Sequence, residues 1–371
     1  MTTQNQTQKN RFHWIDRTKG LAILGIILFH FFQNYPERNQ IITILDRNAA
    51  RVGYAAVDIF FLMAGFNTSY ALVSRSIKAG SDELSVKWKS WLVSRLIRLY
   101  PSYWLAVTST CLLYYFFGRF KITSTPNFIL SVLGLAGVHT QAINPGFWFF
   151  TVIIQAYLIT PLIFIICKNH RQEILWLGII VATLTKIVAF YFLSENNIPT
   201  YLFFLQNNFL GSYIFQFFLG LYWGYIYAEH HGFRKIDFLI ATIVFSLGLI
   251  LYGFFLLRHI NIIYMLGFDM LFTPFFFLGI KAILLKLEKI VSFQWILSSL
   301  SILGIYSYQI YLIHQPLYFV LLPKLQKIIH LNSYLTIFVS LFIALGLLTI
   351  YVLIFTKLEK IVIEKLASVY K

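Results

Sequence analysis

Two histidines stand out because the stretches around them are lipid-soluble. In DRTKGLAILGIILFHFF, residues 16–32, Lys19 and His30 are eleven positions apart. On a helix that is three turns plus roughly 20°, so both lie on one face about 16 Å apart, while Arg17 points to the opposite side. In SILGIYSYQIYLIHQPLY, Gly304, Ser307, Tyr308, Tyr311 and His314 recur at helical spacing and form a polar stripe. Pro316 follows, where a kink would open space. Each imidazole is a potential base at neutral pH. A third ionisable group, Asp58 in GYAAVDIFFLMAGF, could orient an imidazole; the alternative is an ion pair with a lysine such as Lys186. Arg95 and Arg98, three apart in SRLIRLYPSYW, suit phosphate, although basic anchoring at a membrane face explains them equally well. In NPGFWFFTVIIQAYLITP, Trp148 fits an interfacial aromatic belt, and Gln155 and Tyr157 project from mid-span. A histidine or tyrosine stripe that only packs a bundle is the plain alternative, and the shared depth of His30 and His314 argues for a common cavity.

The elements that must position these groups follow from composition. The chain has 371 residues, 58% hydrophobic and only 12% charged, which no water-soluble surface tolerates over this length. It reads as an all-α integral membrane protein, since apolar runs of about 20 residues recur and the ten-residue alternation of a barrel is absent. Spans are expected at 18–34, 52–74, 92–117, 147–167, 173–194, 209–228, 238–257, 261–280, 297–322 and 333–356, about ten transmembrane helices. Residues 128–138 are too short to cross and read as a re-entrant or interfacial piece. With both termini inside, twenty-one Lys and Arg fall on the cytoplasmic side against eight outside, so N-in and C-in is the orientation the charges favour. The net charge of +16 is then a leaflet signature and does not call for nucleic acid. Measured from the cytoplasmic ends of their helices, His30 is about 18 Å deep and His314 roughly 25 Å. Cys111 and Cys167 lie in separate apolar runs and offer neither a disulfide framework nor a metal site. The polar start carries no removable signal peptide pattern. The expected organisation is a short cytoplasmic segment over 1–17, one membrane domain over 18–356, and an amphipathic cytoplasmic segment over 357–371.

Five motifs in order carry a family resemblance: Asp16-x-x-Lys19-Gly20 with His30; Val57-Asp58-x-Phe60-Phe61 with Gly65-Phe66; Arg95-x-x-Arg98-x-Tyr100-Pro101; Trp148 with Gln155 and Tyr157; and Ser307-Tyr308-x-x-Tyr311-Leu312-x-His314-x-Pro316. Together they resemble the membrane-bound acyltransferase 3 family over about residues 13–356. The resemblance implies a ten-helix domain that moves an acyl group, commonly acetyl from acetyl-CoA, onto a sugar hydroxyl of a surface polysaccharide, lipopolysaccharide or glycolipid. It implies a multi-pass protein of the plasma membrane, with membrane lipids around it and acyl-CoA as a substrate in place of any resident cofactor. Its oligomeric state is not implied. Where the family commonly has arginine this chain has Lys19, which keeps the charge and loses the bidentate fork. Ala64 and Gln155 stand where a serine and an acid are common, so neither takes a role that needs a hydroxyl or a proton.

The chemistry such transfer needs matches the residues. An alcohol is a weak nucleophile at neutral pH, so attack on a thioester requires a base and an oxyanion donor. His30 is the expected base, with Asp58 orienting it and His314 a second catalytic group. Lys19, Arg95 and Arg98 would hold the CoA phosphates, and Trp148, Gln155, Tyr308 and Tyr311 would line the substrate cavity. An acyl-histidine relay stays open beside direct transfer. Intramembrane His, Asp and Lys also suit a proton-coupled transporter of a small polar solute or lipid-linked sugar, although the paired repeats common in such proteins are not evident.

Overall fold

The computed structural model describes residues 12–80, 87–167, 170–259, 268–329 and 333–369. Residues 1–11 and the start of the span expected at 261–280 lie outside them. The described chain is a bundle of thirteen α-helices with short 3₁₀ turns between some of them, and no strand occurs among the described residues. In chain order they are α1 (His13–Asn34), α2 (Gln40–Ala79), α3 (Trp88–Phe116), α4 (Thr125–Leu133), α5 (Trp148–Ile166), α6 (Arg171–Ser194) and α7 (Ile198–Leu205). Then follow α8 (Ile214–His230), α9 (Lys235–Leu257), α10 (Phe268–Leu287), α11 (Gln294–Ile305), α12 (Ser307–Ile328) and α13 (Ser333–Val369).

Six described helices are long and apolar enough to cross a membrane, and a bent pair formed by Val291–Ile305 and Ser307–Ile328 brings the number to seven. The protein is therefore a multi-pass membrane protein. Helices α1, α3 and α8 stand where the remaining spans were expected, but the first two carry several charged and polar residues and α8 has only 17 residues. Helix α9 presents Leu239, Ile243, Leu247, Ile250 and Phe254 outward, the kind of surface that hydrocarbon covers.

Local sequence explains where the helices start and how closely they pack. The Asn39 side chain accepts the Ile42 N–H to cap α2, and Gly80 ends it in the left-handed conformation at φ 63°. Helix α8 is almost wholly buried and lies against α2. A Cβ at Gly65 of α2 would overlap the carbonyl of Phe217, so only glycine permits this approach. The same holds where α11 meets α1: a Cβ at Gly304 would strike the Asp16 carbonyl. Gly304, expected on the polar stripe, thus serves backbone contact.

Three regions depart from the expected spans. The span expected at 297–322 is broken at Tyr306 (φ −95°, ψ 10°), where α11 and α12 diverge by 79°. Pro316 sits inside α12 and is not the break. Residues 128–138 form the end of α4 and a non-helical return, held by the Thr151 hydroxyl, which donates to the carbonyls of Gly134 (3.0 Å) and Ala136 (2.8 Å). Irregular backbone inside a bundle survives where protein groups satisfy it in this way. Finally, α13 runs on without interruption from residue 356 to 369, so the C-terminal stretch is continuous with the last apolar span.

Candidate active site

At the end of the bundle where α1 begins, a cavity of about 1160 Å³ opens between α1, α2, α3, α5, α12 and α13. Its lining includes Lys19, Arg95, Arg98, Tyr308 and Tyr311, five residues that the sequence motifs singled out. Lys357 and Lys360 of α13 add two more cations, against the carboxylates of Asp16, Glu359 and Glu364. The balance is positive, as a phosphate-bearing ligand requires. Lys19 keeps a loose pair with Asp16 at 4.0 Å. The Arg95 guanidinium lies 4.2 Å from the centre of the Trp91 ring and 5.3 Å from that of Tyr157, and Trp91 Nε1 in turn donates to the Tyr157 carbonyl at 2.9 Å. Arg98 is exposed at the mouth. Arg17, on the other face of α1 as its spacing predicts, pairs with Glu288 at 3.0 Å.

Glu359 is a residue that sequence reading missed. It is buried, and its carboxylate accepts from the Ser102 hydroxyl on α3 and from Gln309 Nε2 on α12 at 2.9 Å. These bonds tie the end of α13 into the cavity wall. Tyr308 of the same wall donates to the Leu99 carbonyl at 3.1 Å. The only advance signal was a lone acid amid the lysines of KLEK.

The cavity lining includes an aromatic pair, Tyr311 and Phe149, whose ring centres are 4.7 Å apart. Beside it stand the two imidazoles. The ring of His314 is centred 5.8 Å from that of Tyr311 and 5.1 Å from that of His30. Residues nearly three hundred apart along the chain thus meet in one pair. His314 Nδ1 lies 3.0 Å from the Ile310 carbonyl and 2.8 Å from that of Tyr311. His30 Nδ1 lies 3.0 Å from Gln33 Oε1 and 3.2 Å from Gln315 Nε2, and Gln315 Oε1 accepts the Gly146 N–H at 2.9 Å. Among the described residues His314 Nε2 and both amide atoms of the fully buried Asn144 meet no hydrogen-bond partner. Gln315 and Gly146 also escaped the sequence reading, although both lie inside the quoted motifs.

Other expected site residues are placed elsewhere. Asp58 is fastened by Gln216 Nε2 (2.9 Å) and the Thr273 hydroxyl (3.0 Å). The same Gln216 amide reaches Asp269 at 2.8 Å, and Asp269 pairs with Lys186 at 2.6 Å. Lys186 is therefore joined to Asp58 through two residues, Asp269 and Gln216, while the groups placed on the His30 ring are glutamines. Trp148 is buried inside the bundle: it is 6% exposed and stacks on Tyr213 with ring centres 5.4 Å apart. Gln155 Oε1 accepts the Leu210 N–H at 2.8 Å and so caps the 3₁₀ turn Leu210–Tyr213, away from the cavity lining. Both residues shape the wall's support and do not face the cavity.

Comparison with known proteins places this geometry. Residues 12–356 match a family described as acyltransferase domain. A Bacillus subtilis (strain 168) protein named a peptidoglycan O-acetyltransferase, YrhL, is 27% identical over 116 residues, which is 31% of this chain and 16% of that protein. No solved structure matches the chain.

Proposed function

Because this chain belongs to the acyltransferase-domain family, matched over residues 12–356, we propose that it is a membrane O-acyltransferase of the plasma membrane. It takes an acyl group, acetyl in the first instance, from acyl-CoA and delivers it to a hydroxyl of a surface polysaccharide, lipopolysaccharide or glycolipid. The observation that carries this reading is the cation-lined cavity whose lining extends to Tyr311, next to the paired imidazoles.

Lys19, Arg95 and Arg98 hold the donor's phosphates, for which guanidinium and ammonium groups are suited. The pantetheine arm follows the Lys19–His30 face of α1 past Tyr308. The thioester reaches the imidazoles past Tyr311 and Phe149, which line the cavity, Tyr311 beside His314. There a base takes the acceptor's proton while a donor stabilises the oxyanion, and the thiol leaves as CoA. The acceptor meets this chamber from the side of Gln33, which is exposed next to the half-buried His30.

The test uses the purified protein in lipid vesicles with labelled acetyl-CoA and glycan acceptors, peptidoglycan fragments among them. Transfer of label, lost in His30→Ala, supports the reading. Intact acetyl-CoA with every acceptor, together with proton-driven solute uptake, overturns it in favour of a transporter.

A further inference from the structure

We infer that the two imidazoles have opposite jobs, with His314 the base and His30 the proton-bearing donor, and that Gln315 enforces the division. This rests on the acyl-transfer reading for its chemistry, but the proton positions themselves are a separate matter.

A backbone N–H only donates. Because the Gly146 N–H points at the Gln315 side chain at 2.9 Å, the atom facing it is the carbonyl oxygen, and the amide nitrogen is the one turned to His30 Nδ1 at 3.2 Å. An amide NH₂ also only donates, so His30 Nδ1 holds a lone pair. The neutral ring then carries its proton on Nε2. Gln33, also near Nδ1, is exposed and its amide is free to turn its own NH₂ inward. Buried Gln315, with Gly146 fixed behind it, is not.

His314 is set the other way. Its Nδ1 faces two main-chain carbonyls, which only accept, so the proton sits on Nδ1. The lone pair is left on Nε2, buried and meeting no partner among the described residues. A basic nitrogen without a partner in the interior is costly unless a ligand donates to it.

The reaction balances on this pair. The acceptor hydroxyl gives its proton to His314 Nε2 as its oxygen attacks the thioester carbon. The His30 Nε2–H donates to the oxyanion. As the C–S bond breaks, the sulfur leaves with its electron pair and takes the proton back from His314. Gln315 touches neither substrate: it is a positioning residue.

Gln315→Glu separates this division from the reverse one. A carboxylate still accepts from Gly146 but also accepts from His30, drawing the imidazole proton to Nδ1 and leaving no donor at Nε2. Nitrogen-15 spectra of labelled protein in nanodiscs, assigned by comparison with His30→Ala and His314→Ala, report the proton positions whether or not an acceptor is known. The expected parent spectrum has His30 protonated at Nε2 and His314 at Nδ1. In Gln315→Glu the His30 proton should move to Nδ1 and turnover should fall about 10²–10³-fold, the size of a lost oxyanion donor. A parent His30 protonated at Nδ1 overturns the inference, even if the variant fails to fold. So does a Gln315→Glu protein with the proton at Nδ1 that turns over like the parent. A parent with the expected proton positions and no acyl transfer instead removes the functional reading and leaves the tautomers standing.

Discussion

Of the polar clusters among the described residues, those around Asp58 and His30 are built on different principles. Around Asp58 both carboxylates are held by donors of the cluster itself: Gln216 bridges the two, Thr273 donates to Asp58 and Lys186 pairs with Asp269, which leaves the Gln216 carbonyl oxygen as the unpartnered atom. Around His30 the partners are neutral amides and main-chain groups, and buried atoms on His314 and Asn144 are left without a protein partner. A cluster that fixes its carboxylates with its own donors holds helices together. One that leaves a nitrogen uncommitted has something to offer a substrate. Of the two intramembrane sets, the second is the one whose uncommitted atom is a basic nitrogen.

Substitutions should split along that line. The largest effect expected is at the imidazoles: His30→Ala lowers acetyl transfer about 10²–10³-fold, as loss of an oxyanion donor does, with the thermal midpoint in detergent nearly unchanged. A variant that is destabilised in proportion to its lost activity would put His30 in the same structural class as Asp58. Next comes Asp269→Asn, which strands the half-buried Lys186 ammonium and should cost about 2–3 kcal/mol of stability, below the range for a fully buried pair. Here the thermal midpoint falls and the surviving folded protein keeps its kcat; a stable but inactive variant would erase the contrast.

At the cavity mouth the effects are smaller and concern affinity. Arg98→Gln should lower kcat/KM for acetyl-CoA by about tenfold to a hundredfold, as loss of a charged hydrogen bond of roughly 1.5–3 kcal/mol implies. It should do little further harm to a donor that lacks the adenosine phosphates, because that donor never makes the contact. Equal losses with both donors would make Arg98 an anchor. Smallest is Glu359→Gln, which exchanges one acceptor for a competing donor between Ser102 and Gln309. A few-fold rise in the acetyl-CoA KM at constant kcat, from about 1 kcal/mol, is the outcome expected in steady-state assays, and a kcat effect of the same size would place Glu359 in the transfer step.

Periodicity made much of this legible. The Lys19–His30 face, the opposite placement of Arg17 and the stripe from Ser307 to His314 all depend on local helical geometry, and they stand where the spacing puts them. Depth alone paired His30 with His314, because two histidines in the same layer of hydrocarbon have few other neighbours of their kind. What escaped were partnerships across the chain. Gln216 and Thr273 reach Asp58 from 158 and 215 residues away, and nothing in either local stretch announces it. Trp148 was assigned by its position at a span end, yet burial was decided by Tyr213 and Phe61, which a linear reading does not bring together. The break at Tyr306 has no proline at the bend, so the expectation went to Pro316, which the helix absorbs.

The unbroken length of α13 has one more consequence. Its 37 residues span about 55 Å, against roughly 30 Å of hydrocarbon, so the helix is a rod that continues well past the lipid. Glu359 is seated on that rod by rotation as much as by height. Inserting a single residue in the turn before it would swing the carboxylate by about 100° and lift it by roughly 1.5 Å, away from Ser102 and Gln309, while leaving every apolar residue of the preceding span untouched. Variation in this stretch is therefore constrained in number of residues before it is constrained in kind: side chains facing water are free to drift, whereas the count from membrane to cavity wall is not.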